Sequence, residues 1–198
     1  LEVRSQTGFS GPLVDLRVVT PDMEDVPHDG KTTGEIVARA PWLTKGYLND
    51  AQASDELWDG GYLHTGDVGY IRENGSLQIT DRLKDVIKTG GEWISSLALE
   101  NIASSCGGIE DIAAIGLPHA KWGERPVLVA QASKDADPDL VRLSVMAEIQ
   151  SRVDAGELSK WAVPDDIFFV TSLPKTSVGK LDKKRMRQDI STRSDLKS

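Results

Sequence analysis

The stretch DRLKDVIKTGGEWIS, residues 81–95, lies where the pattern of the chain changes. Before it, apolar and polar residues alternate in short runs, which predicts a β-rich segment. After it, short apolar runs alternate with helical patterns, which predicts a compact α+β domain with a small central sheet flanked by helices. We therefore expect a first part over 1–81, a hinge over 82–85 that contains Lys84, and a second part over 86–198.

The first part carries several strand patterns and one strong turn. The runs DLRVVT and GEIVARA alternate apolar and polar residues, as half-buried strands do. Asn74-Gly75 separates two further strand patterns and indicates a β-hairpin, because both residues tolerate positive φ. The segment NDAQASDELW, which precedes this hairpin, predicts a short helix.

The second part predicts the order strand, helix, strand, strand, helix, strand, and then a final helix. Its first helix would be capped by Ser95 or Ser96 and end at Gly107-Gly108. Asp137-Pro138 would open a long helix through about Val153, since proline is favoured in a first turn. The strand patterns are DVIKTGGEWI before its glycine pair, IEDIAAIGL, RPVLVAQAS and DDIFFV, and the final helix is DKKRMRQDI.

The composition argues against several classes of function. A net charge of −8 disfavours nucleic acid as the main partner, because binding its phosphates requires a broad basic surface. No apolar run approaches roughly 18 residues, so no transmembrane segment is expected. The three histidines lie far apart without ligand spacing, so we expect no zinc site and predict no metal ligand among them. Cys106 is the only cysteine, which fits a reducing compartment and predicts a cytoplasmic protein.

Three positions are candidates for binding a nucleotide or another ligand. Asp67 follows Thr65-Gly66 at a predicted turn, and its two carboxylate oxygens suit the vicinal hydroxyls of a ribose, although an ordinary turn aspartate fits the same pattern. Arg82 offers a planar fork of donors to ribose or phosphate oxygens, or it belongs to a linker. Gly90-Gly91 lack β-carbons, so a ligand can approach their backbone closely, or they form a bulge.

A basic segment, SLPKTSVGKLDKKRMRQ at residues 172–188, places Lys180 directly after a glycine. A phosphate-binding P-loop is excluded, because Lys175 stands where that motif has glycine and Leu181 where it has Ser or Thr. Two interpretations remain. From Pro174 onward there are eight Lys or Arg and three Asp, as in a solvated basic tail. Alternatively, the loop delivers one ammonium group to a reaction centre that lies elsewhere.

Four stretches together resemble one family. They occur in the order in which similar motifs follow one another in the C-terminal part of adenylate-forming enzymes. The stretches are GEIVARAPWLTKGYLND, YLHTGDVGYI, DRLKDVIKTGGEWIS and PKTSVGKLDKKRMR. This superfamily includes acyl-CoA synthetases, peptide-synthetase adenylation domains and firefly-type luciferases. The sequence GGEW followed by ISS is most similar to medium- and long-chain fatty acyl-CoA synthetases. The resemblance implies that 1–81 is the last β-rich, distorted barrel-like subdomain of an N-terminal AMP-binding domain, and that 86–198 is the mobile C-terminal domain.

The resemblance also implies an acid-thiol ligase that activates a fatty acid in two steps. The carboxylate attacks the α-phosphate of ATP, in the presence of Mg²⁺, to give an acyl-adenylate and pyrophosphate. The C-terminal domain then rotates, and the thiol of CoA attacks the acyl-adenylate and releases AMP. The implied roles are ribose binding for Asp67, ribose or phosphate contact for Arg82, a hinge at Lys84, the pantetheine path for Gly90, Gly91 and Trp93, and adenylation for Lys180.

The chain departs from the family's pattern in what it lacks. The phosphate-binding loop, the segment that supplies adenine and magnesium contacts, and the acyl pocket have no counterpart in it. We therefore expect a fragment that is inactive alone and whose partners are fatty acid, ATP, CoA and the missing N-terminal domain, with the Mg²⁺ site mostly outside the fragment. Two alternatives stay open: an acyl-AMP ligase or adenylation domain that loads a carrier protein, and a non-catalytic nucleotide-binding module.

Two further regions differ from the family or lack a clear match. His64 stands where relatives often have Arg or Lys before Thr-Gly-Asp. Near Trp122, the contacts to the phosphates of CoA have no clear basic match, and Lys121 or Arg125 are the candidates. Trp122 and Arg125 equally fit residues that only pack at the edge of a core.

Overall fold

The computed structural model describes residues 7–194 and divides the chain into two compact units, Leu1–Lys84 and Asp85–Ser198. The division falls within the stretch 81–95, where the sequence pattern changes. Each unit has its own sheet and its own apolar core. The predicted α+β fold class is confirmed, whereas the role of 82–85 as a hinge stays a prediction.

The first unit is built on an antiparallel sheet whose strands follow the order of the chain. These are β1 (Asp15–Val19), β2 (Gly34–Arg39), β3 (Leu63–Ile71) and β4 (Leu77–Arg82), with helix α1 (Ala51–Leu57) and a 3-10 turn (Asp59–Gly61) between β2 and β3. No pairing joins β1 to β4 within residues 7–194. The sheet is therefore open and not barrel-like as the resemblance implied, because a barrel requires its first and last strands to pair.

The β3–β4 hairpin depends on its turn at Asn74 and Gly75. Gly75 has a φ of 81°, which residues with a β-carbon rarely adopt. The side chain of Asn74 accepts hydrogen bonds from the backbone N–H and the hydroxyl of Ser76, at 3.0 and 2.7 Å. The hairpin that the sequence predicted is therefore formed, and its register places Asp67 opposite Arg82.

The second unit contains five strands and three helices among the described residues. The strands are β5 (Ile87–Thr89), β6 (Glu92–Ile94), β7 (Ile109–His119), β8 (Gly123–Ala132) and β9 (Ile167–Phe169), and the helices are α2 (Ser96–Ser105), α3 (Pro138–Asp154) and α4 (Lys183–Ser194). The strand order is β6-β5-β8-β7, and β9 adds to β8 in parallel. A 3-10 turn (Lys160–Ala162) precedes β9.

Strands β7 and β8 are buried on both faces, because helices cover both sides of the sheet. Their side chains alternate, as a pleated strand requires. Ala114 and Leu128 belong to one apolar cluster, and Ile115 and Val129 belong to the other. The first cluster also includes residues of α2 and α3, namely Leu99, Ala103, Val141, Val145 and Ile149, and the second includes Met186 and Ile190 of α4.

The helix boundaries agree with the capping chemistry in the sequence. The hydroxyl of Ser95 accepts a hydrogen bond from Ala98 N at 3.1 Å, so Ser95 is the N-cap of α2. Helix α3 begins at Pro138, directly after its N-cap Asp137. One prediction was incomplete, because the segment DVIKTGGEWI forms two strands joined by its glycine pair. No helix within residues 7–194 is long and apolar enough to cross a bilayer.

Candidate functional site

Asp67 and Arg82 form an ion pair on adjacent strands of the first unit. Nε of Arg82 lies 2.9 Å from Oδ1 of Asp67. The side chain of Arg82 is 60% exposed and that of Asp67 is 24% exposed, so both groups remain accessible to a ligand. Arg82 also borders an open depression of about 400 Å³ together with Gly66, Leu83 and Lys84. The structure thus brings the two predicted nucleotide-binding residues together.

Asp67 does not follow a turn, as the sequence predicted, but lies within β3, where residues 65–67 bulge opposite Ile36 of β2. Backbone and side-chain hydrogen bonds hold this bulge. The hydroxyl of Thr65 donates to Ile36 O at 2.6 Å and accepts from Asp67 N at 3.1 Å. Gly66 has a φ of 68°, and its carbonyl accepts from Leu83 N at 2.8 Å. These bonds fix where the carboxylate of Asp67 leaves the sheet.

Glu35 supports the same bulge and was not predicted from the sequence. Its carboxylate accepts from Gly66 N at 3.3 Å and lies 2.9 Å from Nδ1 of His64. Nε2 of His64 is 3.2 Å from the carbonyl oxygen of Asp59. His64 therefore contacts Glu35, and Glu35 in turn holds the backbone of the bulge at Gly66. A carboxylate next to the apolar residues of GEIVARA was the available signal, but its partner lies 29 residues away.

The glycine pair forms a tight hairpin in the second unit. Gly90 and Gly91 have φ values of 59° and 83° and join β5 to β6. Gly90 N donates to the carbonyl of Trp122 at 3.1 Å. The indole of Trp161 packs so closely on Gly90 that a β-carbon there would lie 2.4 Å from its Cε2. On β6, the half-buried ring of Trp93 lies below Nζ of Lys88, at 5.3 Å.

Next to this hairpin, aromatic rings and ammonium groups form a surface. The ring centroids of Trp122 and Trp161 are 4.6 Å apart, with the planes inclined at 55°. Nζ of Lys121 lies 4.4 Å from the Trp122 ring, and Nζ of Lys160 lies 5.3 Å from the Trp161 ring. We call Trp122, Trp161, Lys121 and Lys160 the indole surface. The sequence analysis had not singled out Trp161 or Lys160.

Arg125 lies beside the indole surface but is committed to internal contacts. Its Nε donates to Asp165 at 2.8 Å, and its Nη2 donates to the carbonyl of Val163 at 2.9 Å. Its side chain is only 15% exposed. Of the two candidates for a phosphate contact, Lys121 is thus the exposed one and Arg125 is the one engaged in structure.

Lys180 lies in an ordered turn. Thr176 N donates to Lys180 O at 2.7 Å, and Lys180 N donates to the hydroxyl of Thr176 at 3.2 Å. Gly179, with a φ of 79°, allows the chain to reverse. The Lys180 side chain is exposed, and its ammonium forms no ion pair with any described residue. A fully solvated tail is excluded, because Met186 and Ile190 of α4 are buried.

The predicted site residues therefore fall into three places. Asp67 and Arg82 are paired in the first unit, which Lys84 ends. The hairpin of Gly90, Gly91 and Trp93 and the turn of Lys180 both lie in the second unit. Within residues 7–194, no group of three His, Cys, Asp or Glu side chains is arranged to hold a metal ion.

The comparisons with known proteins identify the class. Residues 98–180, which run from α2 to the Lys180 turn, match the family of AMP-binding enzyme C-terminal domains. The second unit thus carries the C-terminal domain of an adenylate-forming enzyme, and the resemblance predicted from the sequence is confirmed.

The relatives in sequence are CoA ligases. The 3-methylmercaptopropionyl-CoA ligase of Ruegeria lacuscaerulensis is 42% identical over 178 residues, which are 89% of this chain and 31% of the relative. The long-chain-fatty-acid–CoA ligase of Thermus thermophilus is 37% identical over 190 residues, which are 95% of this chain and 34% of the relative. The chain thus spans about a third of the length of these relatives.

Solved structures share the fold. The amide bond synthetase McbA from Marinactinospora thermotolerans superimposes with a TM-score of 0.75 at 29% identity, over 94% of this chain and 37% of that chain. ATP-bound MatB from Rhodopseudomonas palustris gives a TM-score of 0.74 at 30% identity, over 93% of this chain and 35% of that chain.

We expect Gly90→Ala to displace the indole of Trp161. The added β-carbon would meet the ring, and an L-residue at this φ adds about 1 to 2 kcal/mol of strain. The matched control is Gly91→Ala, which has the same kind of φ but places its β-carbon more than 4 Å from any neighbour. The indole N–H signals of Trp122 and Trp161 in ¹H–¹⁵N spectra should shift in the Gly90 variant only. Unchanged indole signals would contradict the packing of Trp161 on the hairpin.

Proposed function

We propose that this chain is the part of a fatty acid–CoA ligase that binds the nucleotide ribose and then serves two half-reactions in turn. The observation that carries the proposal is the pair of chemically different loops on the second unit. One is the Lys180 turn, with a single ammonium group that has no ion-pair partner within residues 7–194. The other is the Gly90-Gly91 hairpin, which lies beside the indole surface, with open space at Gly91 and the indole of Trp161 packed on Gly90.

In the first half-reaction, Lys180 stabilises charge on ATP. A carboxylate oxygen of the acid attacks the α-phosphorus, the bond to the bridging oxygen breaks, and pyrophosphate leaves. Negative charge increases on the α-phosphate oxygens, and an ammonium group held against them lowers the barrier. Asp67 accepts hydrogen bonds from the ribose hydroxyls, and Arg82 orients Asp67 or contacts the nucleotide itself. Mg²⁺ would be held mostly by the part of the ligase outside this chain, since no three His, Cys, Asp or Glu side chains within residues 7–194 are arranged to hold a metal ion.

In the second half-reaction, the hairpin guides the thiol. The thiol of CoA loses its proton to water as its sulfur attacks the acyl carbonyl carbon. A thioester bond forms, and AMP leaves with the electrons of the bond between the acyl carbon and the phosphate oxygen. Gly91 carries no side chain and has open space around it, so the narrow pantetheine arm can lie along the hairpin there with Trp93 beside it. Gly90 allows Trp161 to pack against the same hairpin. The indole surface offers aromatic faces for an adenine and the Lys121 ammonium for a phosphate.

Because the two loops have different tasks, the second unit must change its orientation between the two half-reactions. We assign the pivot to Lys84, at the end of the first unit, because a change of φ and ψ at one residue between units leaves both sheets intact. The Lys180 turn would act in one orientation and the Gly90 hairpin in the other. The chain alone would then be inactive, since one lysine cannot supply the clamp that phosphoryl chemistry needs.

We propose a medium- or long-chain fatty acid as the acid and CoA as the acceptor. A medium- or long-chain fatty acid is favoured by the sequence GGEW and by the Thermus thermophilus relative, which is a long-chain ligase. The Ruegeria lacuscaerulensis relative is a 3-methylmercaptopropionyl-CoA ligase, so 3-methylmercaptopropionate is the acid against which fatty acids should be compared as substrates. A carrier-protein thiol is the alternative acceptor, because the glycine hairpin fits any pantetheine arm.

The proposal predicts ATP-dependent thioester synthesis by the longer protein that contains this chain. Purified protein with ATP, Mg²⁺ and CoA should convert medium- or long-chain fatty acids faster than 3-methylmercaptopropionate, as measured by kcat/KM from chromatographic detection of the acyl-CoA. Transfer to a pantetheinylated carrier protein in place of CoA would favour the alternative acceptor. Nucleotide binding without any acyl-adenylate would indicate a non-catalytic module and refute the ligase assignment.

Lys180→Ala should slow acyl-adenylate formation by on the order of 100-fold or more, because the ammonium stabilises charge only in that step. Thioester formation from supplied acyl-adenylate should stay near the unsubstituted rate. Single-turnover assays of each half-reaction separate the two. Lys184→Ala, which removes an exposed ammonium from the adjacent helix, is the matched control and should change neither. Equal losses in both half-reactions would show that Lys180 has a structural role.

Asp67→Ala should weaken ATP binding by roughly 100-fold, since it removes charged hydrogen bonds worth about 3 kcal/mol together. Folding should be little affected, because exposed ion pairs contribute little to stability. Asp25→Ala is the matched control: it breaks the exposed pair with Arg17, 2.7 Å apart, in the same unit. Calorimetric titration with ATP measures the effect. Equal affinities for the two variants would mean that Asp67 is an ordinary strand residue.

A further inference from the structure

Lys183 differs from the other basic residues of α4, because its ammonium is turned inward. It is the first residue of α4 and lies three positions after Lys180. Its Nζ is 2.6 Å from Oε1 of Glu100 and donates to the hydroxyl of Ser96 at 2.7 Å. The side chains of Lys183 and Glu100 are only 13% and 15% exposed. The next residue, Lys184, is exposed.

The contacts of Glu100 extend this connection into the sheet. Its Oε1 also accepts a hydrogen bond from the backbone N–H of Ala114, at 2.9 Å, in the buried centre of β7. Ser96 is itself fully buried. The ammonium of Lys183 therefore ties α4 to α2 directly and to β7 through one carboxylate. Two charged groups that are this little exposed need each other as partners, because a buried charge without an opposite charge destabilises the fold.

This connection joins the two loops that the proposed function uses. Lys183 follows the Lys180 turn directly, and Ser96 follows β6, the second strand of the Gly90 hairpin. At its other end the Lys180 turn is held by Lys175, whose Nζ is 3.1 Å from Asp111. That second pair is much more exposed, at 53% and 31%, and is therefore the weaker anchor.

We propose that Lys183, through Ser96 and Glu100, is a positioning residue that sets where Lys180 presents its ammonium in the adenylation step. The inference rests on the proposed function of Lys180. Lys183 itself touches no substrate: it fixes the start of α4, and thereby one end of the turn that carries Lys180. The long side chain of Lys180 reaches a defined point only if its backbone is fixed. A displacement of about 1 Å at a reacting group can cost roughly 100-fold in rate.

The first test is Lys183→Met in the complete ligase, with Lys184→Met as the matched control. Met keeps the length and apolar stem of lysine and removes only the charge. Adenylation should fall by about 10- to 100-fold, as measured by single-turnover formation of acyl-adenylate. Thioester formation from supplied acyl-adenylate should stay within about threefold, and the control should match the unsubstituted protein in both assays. A parallel fall in both half-reactions, or no fall in adenylation, would overturn the positioning role.

A double variant separates positioning from an independent role. If Lys183 acts only by placing the ammonium of Lys180, its substitution has no further effect once that ammonium is gone. The variant carrying both Lys180→Ala and Lys183→Met should therefore adenylate as slowly as Lys180→Ala alone, because effects of residues acting as one unit are not additive. A further multiplicative loss in the double variant would overturn the inference.

Glu100→Gln keeps the test valid if Lys183→Met fails to fold. Glutamine retains an oxygen for Ala114 N but removes the charge that holds Lys183. A folded Glu100→Gln protein should show the same selective loss of adenylation, and unchanged adenylation in it would overturn the proposal. The same assays distinguish a failure of the proposed function from a failure of the positioning role of Lys183. An unsubstituted ligase that forms no acyl-adenylate refutes the proposed function, whereas an active one with insensitive Lys183 and Glu100 variants refutes only the positioning role.

Discussion

The antiparallel pairing of β7 with β8 is the constraint on which the second unit depends. Both strands are buried on both faces, and alternate residues enter opposite apolar clusters. A slip of one residue would move every side chain to the wrong face, so the register is strongly specified. Helices α2 and α3 pack on one side and α4 on the other. The Gly90 hairpin and the Lys180 turn both extend from elements that pack on this sheet, and the packed sheet therefore fixes where the two loops begin and end.

In the first unit, the equivalent constraint is local. The turn at Asn74-Gly75 sets the β3–β4 register as far as Gly69 opposite Ile79. A bulge beyond this point shifts the pairing by one residue and brings Asp67 opposite Arg82. Their exposed ion pair contributes little stability. The position of the carboxylate depends on Thr65 and Glu35, which accept hydrogen bonds from the backbone of the bulge in β3. The accessible residues are thus held by less exposed neighbours that have no contact with the depression lined by Arg82.

Local chemistry was predictable from the sequence. Ser95 as a cap, proline at the start of α3 and the hairpin at Asn74-Gly75 each depend on a few adjacent residues, and each was found. The resemblance located the loop of Lys180 and the glycine pair. The two strands flanking that pair have three residues each, which is too short for alternation to distinguish one strand from two.

Contacts between distant segments were not predictable, because they depend on which elements meet. Lys183 and Ser96 are 87 residues apart, and nothing in a run of basic residues marks the one whose ammonium is buried. Glu35 and His64 present the same difficulty at a separation of 29 residues. The packing of Trp161 on Gly90 likewise requires the 3-10 turn before β9 to lie against the hairpin.

The contact between Trp122 and Trp161 has an optical consequence. The electronic transitions of two indoles whose centroids lie 4.6 Å apart and whose planes are inclined couple to each other. Such exciton coupling produces a circular dichroism signal in the absorption bands of tryptophan. That coupling decreases as the rings separate or change their mutual angle. The protein therefore contains an intrinsic chromophore pair at the indole surface, and any molecule that enters between the rings alters its spectrum without an added label.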